Sequence, residues 1–258
     1  MNSTTHDDRR RLVALGAATA AGLWLATGCA STRNPQETAN MMIPPSANTL
    51  TPAQQAIVPI AAFAAAGDIP KLTTSLNEGL DAGLTISDAR EVLVQLYAYA
   101  GFPRSLNALG ALMQVVDTRR QRGVQDAPGR EPGRPIPKGD ALLAAGTANR
   151  TRLSGAPVGG PLLDFAPVAD EYLRSHLFGD IFERDNLDWH SREVATVSML
   201  SAIVGVDSQL QSHMRISMNI GLSANALRQL TRVLAQRVDA ASARRASEAL
   251  ERHLAPAG

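Results

Sequence analysis

The chain has 258 residues, 45% of them apolar and only 4% aromatic, and 25 Lys plus Arg against 24 Asp plus Glu leave a formal charge of +1. That length can bury a substantial core, and so even a charge balance excludes the strongly basic face that nucleic acid selects. The single cysteine, Cys29, excludes an intrachain disulfide and any multi-cysteine metal centre. Ala and Leu carry the apolar share, which favours helix.

At the N-terminus, Arg9-Arg10-Arg11 is followed by Leu12-Val13 and an uncharged apolar stretch to about Ala26. A basic segment before a short apolar one predicts an export signal over residues 1–30. The stretch falls short of the roughly 20 residues a spanning helix needs. The arginine pair resembles the twin-arginine signal, which implies the twin-arginine export machinery as a partner and a periplasmic location. Leu25-Ala26-Thr27-Gly28-Cys29 resembles a lipoprotein box with its aliphatic residue one place early. Two readings therefore stand: Cys29 is the lipidated first residue, or cleavage is ordinary near Gly28 or Ala30. On either, membrane contact is expected only through the signal or a lipid anchor. Residues 31–49, rich in Ser, Thr, Asn and Pro, read as a flexible tether.

The folded body is predicted to begin near Leu50. Pro52 opens a first helix, as Pro is tolerated in a first turn, and an Ala-rich run carries it to Gly67. A second helix covers about Ile69 to Ala82 and ends at Gly83. Thr85 with Asp88 three residues on predicts a capped start to a third, which runs to Gly101, and a fourth ends near Arg122. Four prolines and several glycines then mark the segment from Gly123 as a linker, with short helices to about residue 165. Ala166 to Leu177 reads as a bridging helix leading into a second helical unit over 166–254. No run alternates apolar and polar residues as a half-buried strand does, so the expected class is all-α.

The second unit repeats the first. Leu50-Thr51-Pro52 aligns with Leu187-Asp188-Trp189, and Gly83-Leu84-Thr85 aligns with Gly221-Leu222-Ser223 after a one-residue insertion. A fixed-period repeat points to units that bury their apolar faces on one another. Self-association into a homo-oligomer is expected for the same reason.

Three segments carry a resemblance to a known family. Glu91 to Pro103, with Leu106-Asn107-Ala108 behind it, ends in Tyr-x-Gly-x-Pro; Phe178-Gly179-Asp180-Ile181-Phe182-Glu183-Arg184 leads to Leu187 and Ser191-Arg192-Glu193; His213 to Leu222 has the form His-x5-Asn-x-Gly-Leu. Together they resemble the carboxymuconolactone decarboxylase family, in its decarboxylase-like branch, as two fused units. The resemblance implies the duplicated helical fold shared with the alkyl hydroperoxidase D type. The family's redox branch works through a Cys-x-x-Cys pair, which is missing here, so thiol peroxidase chemistry is disfavoured. The branch that remains implies a lyase that removes carbon dioxide from a small carboxylated unsaturated or lactone substrate with no cofactor and no metal.

Decarboxylation leaves an enolate, so its site needs oxyanion donors and a proton source. His213, Tyr99 and Glu91 are the catalytic candidates. Glu91, Gln95 and Tyr99 fall at i, i+4 and i+8, one stripe of one helix; Gln95 is read as a substrate-binding wall residue. Arg184 has two readings: its planar fork suits a substrate carboxylate, or it forms a salt bridge within the Phe178 to Arg184 turn. Arg192 and Glu193 are read as a structural anchor, and His176 and His190 as helix-boundary residues outside the site. Repeat 1 has Ser75 in place of His213, and repeat 2 has Gln229 and Arg237 in place of Glu91 and Tyr99. A single composite site drawn from both units is therefore expected. The competing reading is drift after duplication, leaving a non-catalytic oligomer that binds a small apolar ligand or a partner.

Overall fold

The computed structural model describes residues 48–255, which belong to a single compact unit beginning at Asn34. The signal segment, Cys29 and nearly all of the tether lie outside the described residues. The expected all-helical class is what the structure has: twelve α-helices and one π-helix among the described residues, with no strand. None of these helices is long and apolar enough to cross a membrane.

The first half contains α1 (Pro52–Ala66), α2 (Ile69–Asp81), α3 (Ile86–Gln95), the four-residue α4 (Tyr97–Ala100) and α5 (Phe102–Gln121). The starts of α1, α2 and α3 are each capped by a side chain. Thr51 caps α1 by accepting from the Gln54 N–H, and Gln54 closes a capping box; Thr85 and Asp88 do the same for α3. The stop at Gly67 is left-handed, a conformation an L side chain resists. The helix expected to run unbroken to Gly101 instead breaks at Leu96, and α4 carries Tyr97 and Tyr99 on a separate short turn.

The middle of the chain is α6 (Asp140–Ser154), α7 (Pro161–Phe165), α8 (Pro167–Tyr172) and the π-helix Leu173–Ile181. Where one bridging helix was expected, the chain widens into π geometry after Tyr172. A contact with α6 goes with this widening: a Cβ at Gly146 would lie 1.7 Å from the Arg174 carbonyl oxygen and 2.8 Å from the Gly179 nitrogen. Backbone meets backbone there because α6 has no side chain at that position. The Pro- and Gly-rich segment before α6 is not helical but is bonded down. The Ile86 and Ser87 N–H groups donate to the Ala127 and Pro128 carbonyls, each at 3.0 Å, so this strap satisfies two donors that a helix start leaves open.

The second half contains α9 (Trp189–Ala202), α10 (Asp207–Asn219), α11 (Ala224–Arg237) and α12 (Ala240–Leu254). Asp188 caps α9 and Ser223 caps α11 as Thr51 and Thr85 cap α1 and α3, and Gly83 and Gly221 both take positive φ. Helices α1 and α9 are the most deeply buried and pack together, with Ile57, Val58, Ile60 and Ala61 near zero exposure on one and Val194, Ala195 and Val197 on the other. Gln54 on α1 donates to the Ser191 hydroxyl on α9 at 3.4 Å, a pair 137 positions apart. Thr51 and Asp188 have the same separation, so equivalent positions of the two halves face each other. The main core gathers α1, α2, α3, α5 and α9 to α12. A second, smaller cluster of Leu153, Phe178, Phe182, Trp189 and Ile216 lies beside it, and Tyr97 and Tyr99 pack on its edge.

Candidate active site

The stripe Glu91, Gln95, Tyr99 faces α9. At its first position the Glu91 side chain is fully buried and its carboxylate is saturated. Arg184 donates to both oxygens, through Nε at 2.6 Å and Nη2 at 3.0 Å. Arg192 donates to Oε1 at 3.0 Å and Asn186 to Oε2 at 3.0 Å. Burial is the largest influence on this carboxyl and pushes it up; the Arg184 hydrogen bonds, the Arg192 charge and the Asn186 amide together outweigh it and hold Glu91 below its ordinary value. Arg192 is itself fully buried, and burial lowers it. Arg184, read from sequence as meeting a substrate carboxylate or a partner within its own turn, thus spends its fork on Glu91.

Gln95, next along the stripe, joins the two halves. Its amide nitrogen donates to the Arg192 carbonyl at 3.0 Å and the Thr196 hydroxyl at 2.7 Å, and its oxygen accepts from Arg192 Nη1 at 3.1 Å. Both amide hydrogens and the amide oxygen are engaged within the protein. Buried polar groups are stable when paired in this way, and Gln95, Arg192 and Glu91 form one network, in which Arg192 Nε alone of the groups named is left without a partner.

At the third position the stripe meets a different group. The Tyr99 and His213 rings pack edge to face, with centroids 5.6 Å apart and an interplanar angle of 81°. His213 is 7% exposed, and its Nδ1 lies 2.8 Å from Glu193 Oε2. Glu193 is entirely buried. A carboxylate accepts, so Nδ1 carries the hydrogen and Nε2 is the nitrogen left to exchange a proton. Glu193 Oε1 is buried without a hydrogen-bond partner, and Tyr99 Oη is buried with the Thr196 hydroxyl beside it but makes no hydrogen bond of good geometry. Burial first, then the neighbouring Glu193 charge, push the phenol far above its usual range, so Tyr99 stays protonated as a donor.

The structure therefore brings together His213 and Tyr99, one from each half. It turns the Glu91 carboxylate toward the two arginines, while the carboxylate that reaches His213 is Glu193. Sequence reading did not anticipate that pairing. The signal available was faint: Glu193 and His213 lie on consecutive helices, α9 and α10, twenty residues apart, and only the helix crossing turns them inward. The other histidines lie outside this contact. His190 is the second residue of α9, at the helix boundary expected of it, but is buried at 1% exposure and donates from Nε2 to the Ile220 carbonyl at 2.6 Å. His176, on the π-helix, sits between Asp180, at 2.7 Å from Nδ1, and the Tyr97 hydroxyl. Among the described residues no group of three His, Cys, Asp or Glu side chains is arranged to hold a metal ion.

Comparison with known proteins agrees with part of this picture. No curated protein matches the chain. The family model for the carboxymuconolactone decarboxylase family matches residues 35–114, which include α1 to α4, the stripe Glu91, Gln95, Tyr99 and most of α5. The segments around Arg184 and His213 lie beyond the matched residues. Over residues 35–114, about a third of its length, the chain is similar to the carboxymuconolactone decarboxylase family.

Proposed function

We propose that this protein is an exported, cofactor-free acid–base lyase acting on a small carboxylated unsaturated or lactone compound, with His213, Tyr99 and Glu193 at the reacting centre. The observation that carries the reading is the pair of unpartnered buried oxygens, Tyr99 Oη and Glu193 Oε1, beside His213, whose Nδ1 is held by the other Glu193 oxygen, Oε2. Protein interiors rarely leave such groups unpaired, and a substrate that pairs them accounts for the exception. When the bond to the carboxylate carbon breaks, carbon dioxide leaves and the electron pair passes to an enolate oxygen, which the Tyr99 hydroxyl stabilises. His213 Nε2 returns a proton to carbon, and the Glu193 carboxylate stabilises the imidazolium that supplies it. Glu91, first read as catalytic, is better placed as a positioning residue: with Arg192 and Gln95 it fixes α9, which carries Glu193. Since Arg184 and Arg192 are committed to Glu91, the substrate carboxylate would meet no free guanidinium from them. Its charge passes with the electron pair to the enolate oxygen beside the Tyr99 hydroxyl and is neutralised when His213 returns the proton to carbon.

The direct test uses purified mature protein with no thiol or metal added and follows the ultraviolet absorbance of a panel of unsaturated lactones and keto acids. Turnover lost in His213→Ala supports the reading; no turnover on any compound leaves the non-catalytic reading the better one. A homo-oligomer is part of the proposal, supported by exposed Phe102, Leu106, Leu162, Phe165 and Tyr172, and a monomeric mass by light scattering would remove it. Export through the twin-arginine machinery is tested by changing Arg9, Arg10 and Arg11 to Lys in a reporter fusion, and lipidation by palmitate labelling that Cys29→Ala should abolish.

A further inference from the structure

Away from the His213 site, a cleft of about 300 Å³ opens where the starts of α1, α3 and α9 converge, lined by Thr51, Gln54, Asp88, Asn186, Asp188 and Ser191 with Ile57, Leu84 and Leu187. Its unused hydrogen-bonding capacity is almost all acceptor. Asp88 takes both Thr85 donors on Oδ2, which leaves Oδ1. Asp188 caps α9 through the Ser191 N–H and hydroxyl, one on each oxygen, so each keeps a further lone pair. Asn186 is 5% exposed; its amide nitrogen donates to Ser87 and Glu91, and its Oδ1 is buried with no partner. The amide orientation is not arbitrary, because the Glu91 carboxylate can only accept and so fixes the nitrogen on its side. No lysine or arginine lines the cleft.

We infer that this cleft is a binding site for a small organic ammonium ion: three N–H donors of a primary ammonium answer Asp88, Asp188 and the unpaired Asn186 Oδ1, and its hydrocarbon body lies on Ile57, Leu84 and Leu187. The three helix starts carry partial positive charge, about half a unit each. Two full carboxylate charges at the lining exceed that sum. An inorganic divalent ion fits less well, since it would leave the apolar half of the lining unused and wants more oxygen ligands than two carboxylates and an amide supply. The site is separate from the proposed reaction and does not depend on it.

The test is calorimetric titration of the full-length protein with benzylammonium chloride, with benzyl alcohol as the neutral analogue and calcium chloride as the inorganic one. The inference expects one saturable site for benzylammonium, with a Kd on the order of millimolar, and at least tenfold weaker binding of the alcohol. Asp88→Asn and Asp188→Asn keep a capping side chain while removing the charge. Each should weaken binding severalfold and the double variant should abolish it, with thermal melting showing that the fold persists. Absence of saturable benzylammonium binding, equal binding of the alcohol, indifference to the double substitution, or tighter competing binding of calcium would each overturn it.

Discussion

Tyr99, on a four-residue helix of the first half, lies edge-on to the His213 ring from the second half, with centroids 5.6 Å apart. The phenol oxygen at that contact is buried and unpaired, which separates what the hydroxyl does for the fold from what it does for chemistry. An unpaired buried hydroxyl costs about 1–3 kcal/mol, so Tyr99→Phe is expected to leave stability unchanged or raise it, as read by urea denaturation. The same substitution should cut turnover on an active lactone by about 10²-fold. A variant that loses stability in step with activity would show the hydroxyl to be structural.

Glu193 and Glu91 should separate in the opposite sense. Glu193→Gln removes the carboxylate that holds His213 at 2.8 Å and is expected to lower turnover by about 10²-fold. Glu91→Gln leaves Arg192 buried beside a neutral partner. Breaking a buried pair in this way costs about 3–5 kcal/mol, read as a lowered denaturation midpoint. If Glu91→Gln were as stable as the native protein, the two-arginine network would be ornamental.

Acid should find the same network. Glu91 lies below its ordinary value of 4.5 in the folded protein, so its unfolded form binds the proton more readily. The stability it contributes is therefore fully present above about 4.5 and is lost as pH falls from there through the folded value. Thermal melting between pH 7 and pH 3 should show a steep loss in that lower range, and Glu91→Gln should flatten it. An equally steep loss in the variant would assign acid sensitivity elsewhere.

Gly146→Ala tests the packing of α6 on the π-helix. The added methyl would meet the Arg174 carbonyl oxygen at 1.7 Å, and neither backbone can give way as a flexible side chain could. Destabilisation of about 3 kcal/mol or more is expected, measured by urea denaturation. Gly110, where a Cβ meets nothing within 4 Å, is the control, and Gly110→Ala in the middle of α5 should be neutral or slightly stabilising.

Local chemistry was legible in the sequence because it is written at short range. Thr85 with Asp88, the repeated glycine stops, and the four-residue spacing of Glu91 and Gln95 have the geometry their positions imply, while Tyr99 lies past the break at Leu96. What a side chain meets across a helix crossing was not legible. Glu193 and Arg192 are neighbours, yet one turns to His213 and the other to Glu91, a division set by their 100° offset around α9 against two different partners. The π-helix has no period of its own in the apolar pattern, and its packing on Gly146 could not be seen without the partner helix.

The pairing of α1 with α9 has a consequence for the order in which the molecule is made. Eleven of the fifteen residues of α1 are buried, yet α9, which packs against it most extensively, begins at Trp189, so the first of the described helices must wait for one synthesised long after it. Until then its Ile and Ala face is open to other chains. Contacts of such long sequence separation also slow folding relative to helical proteins built from local pairs. A nascent chain halted before Trp189 should be aggregation-prone, and the product should become soluble only once α9 is complete.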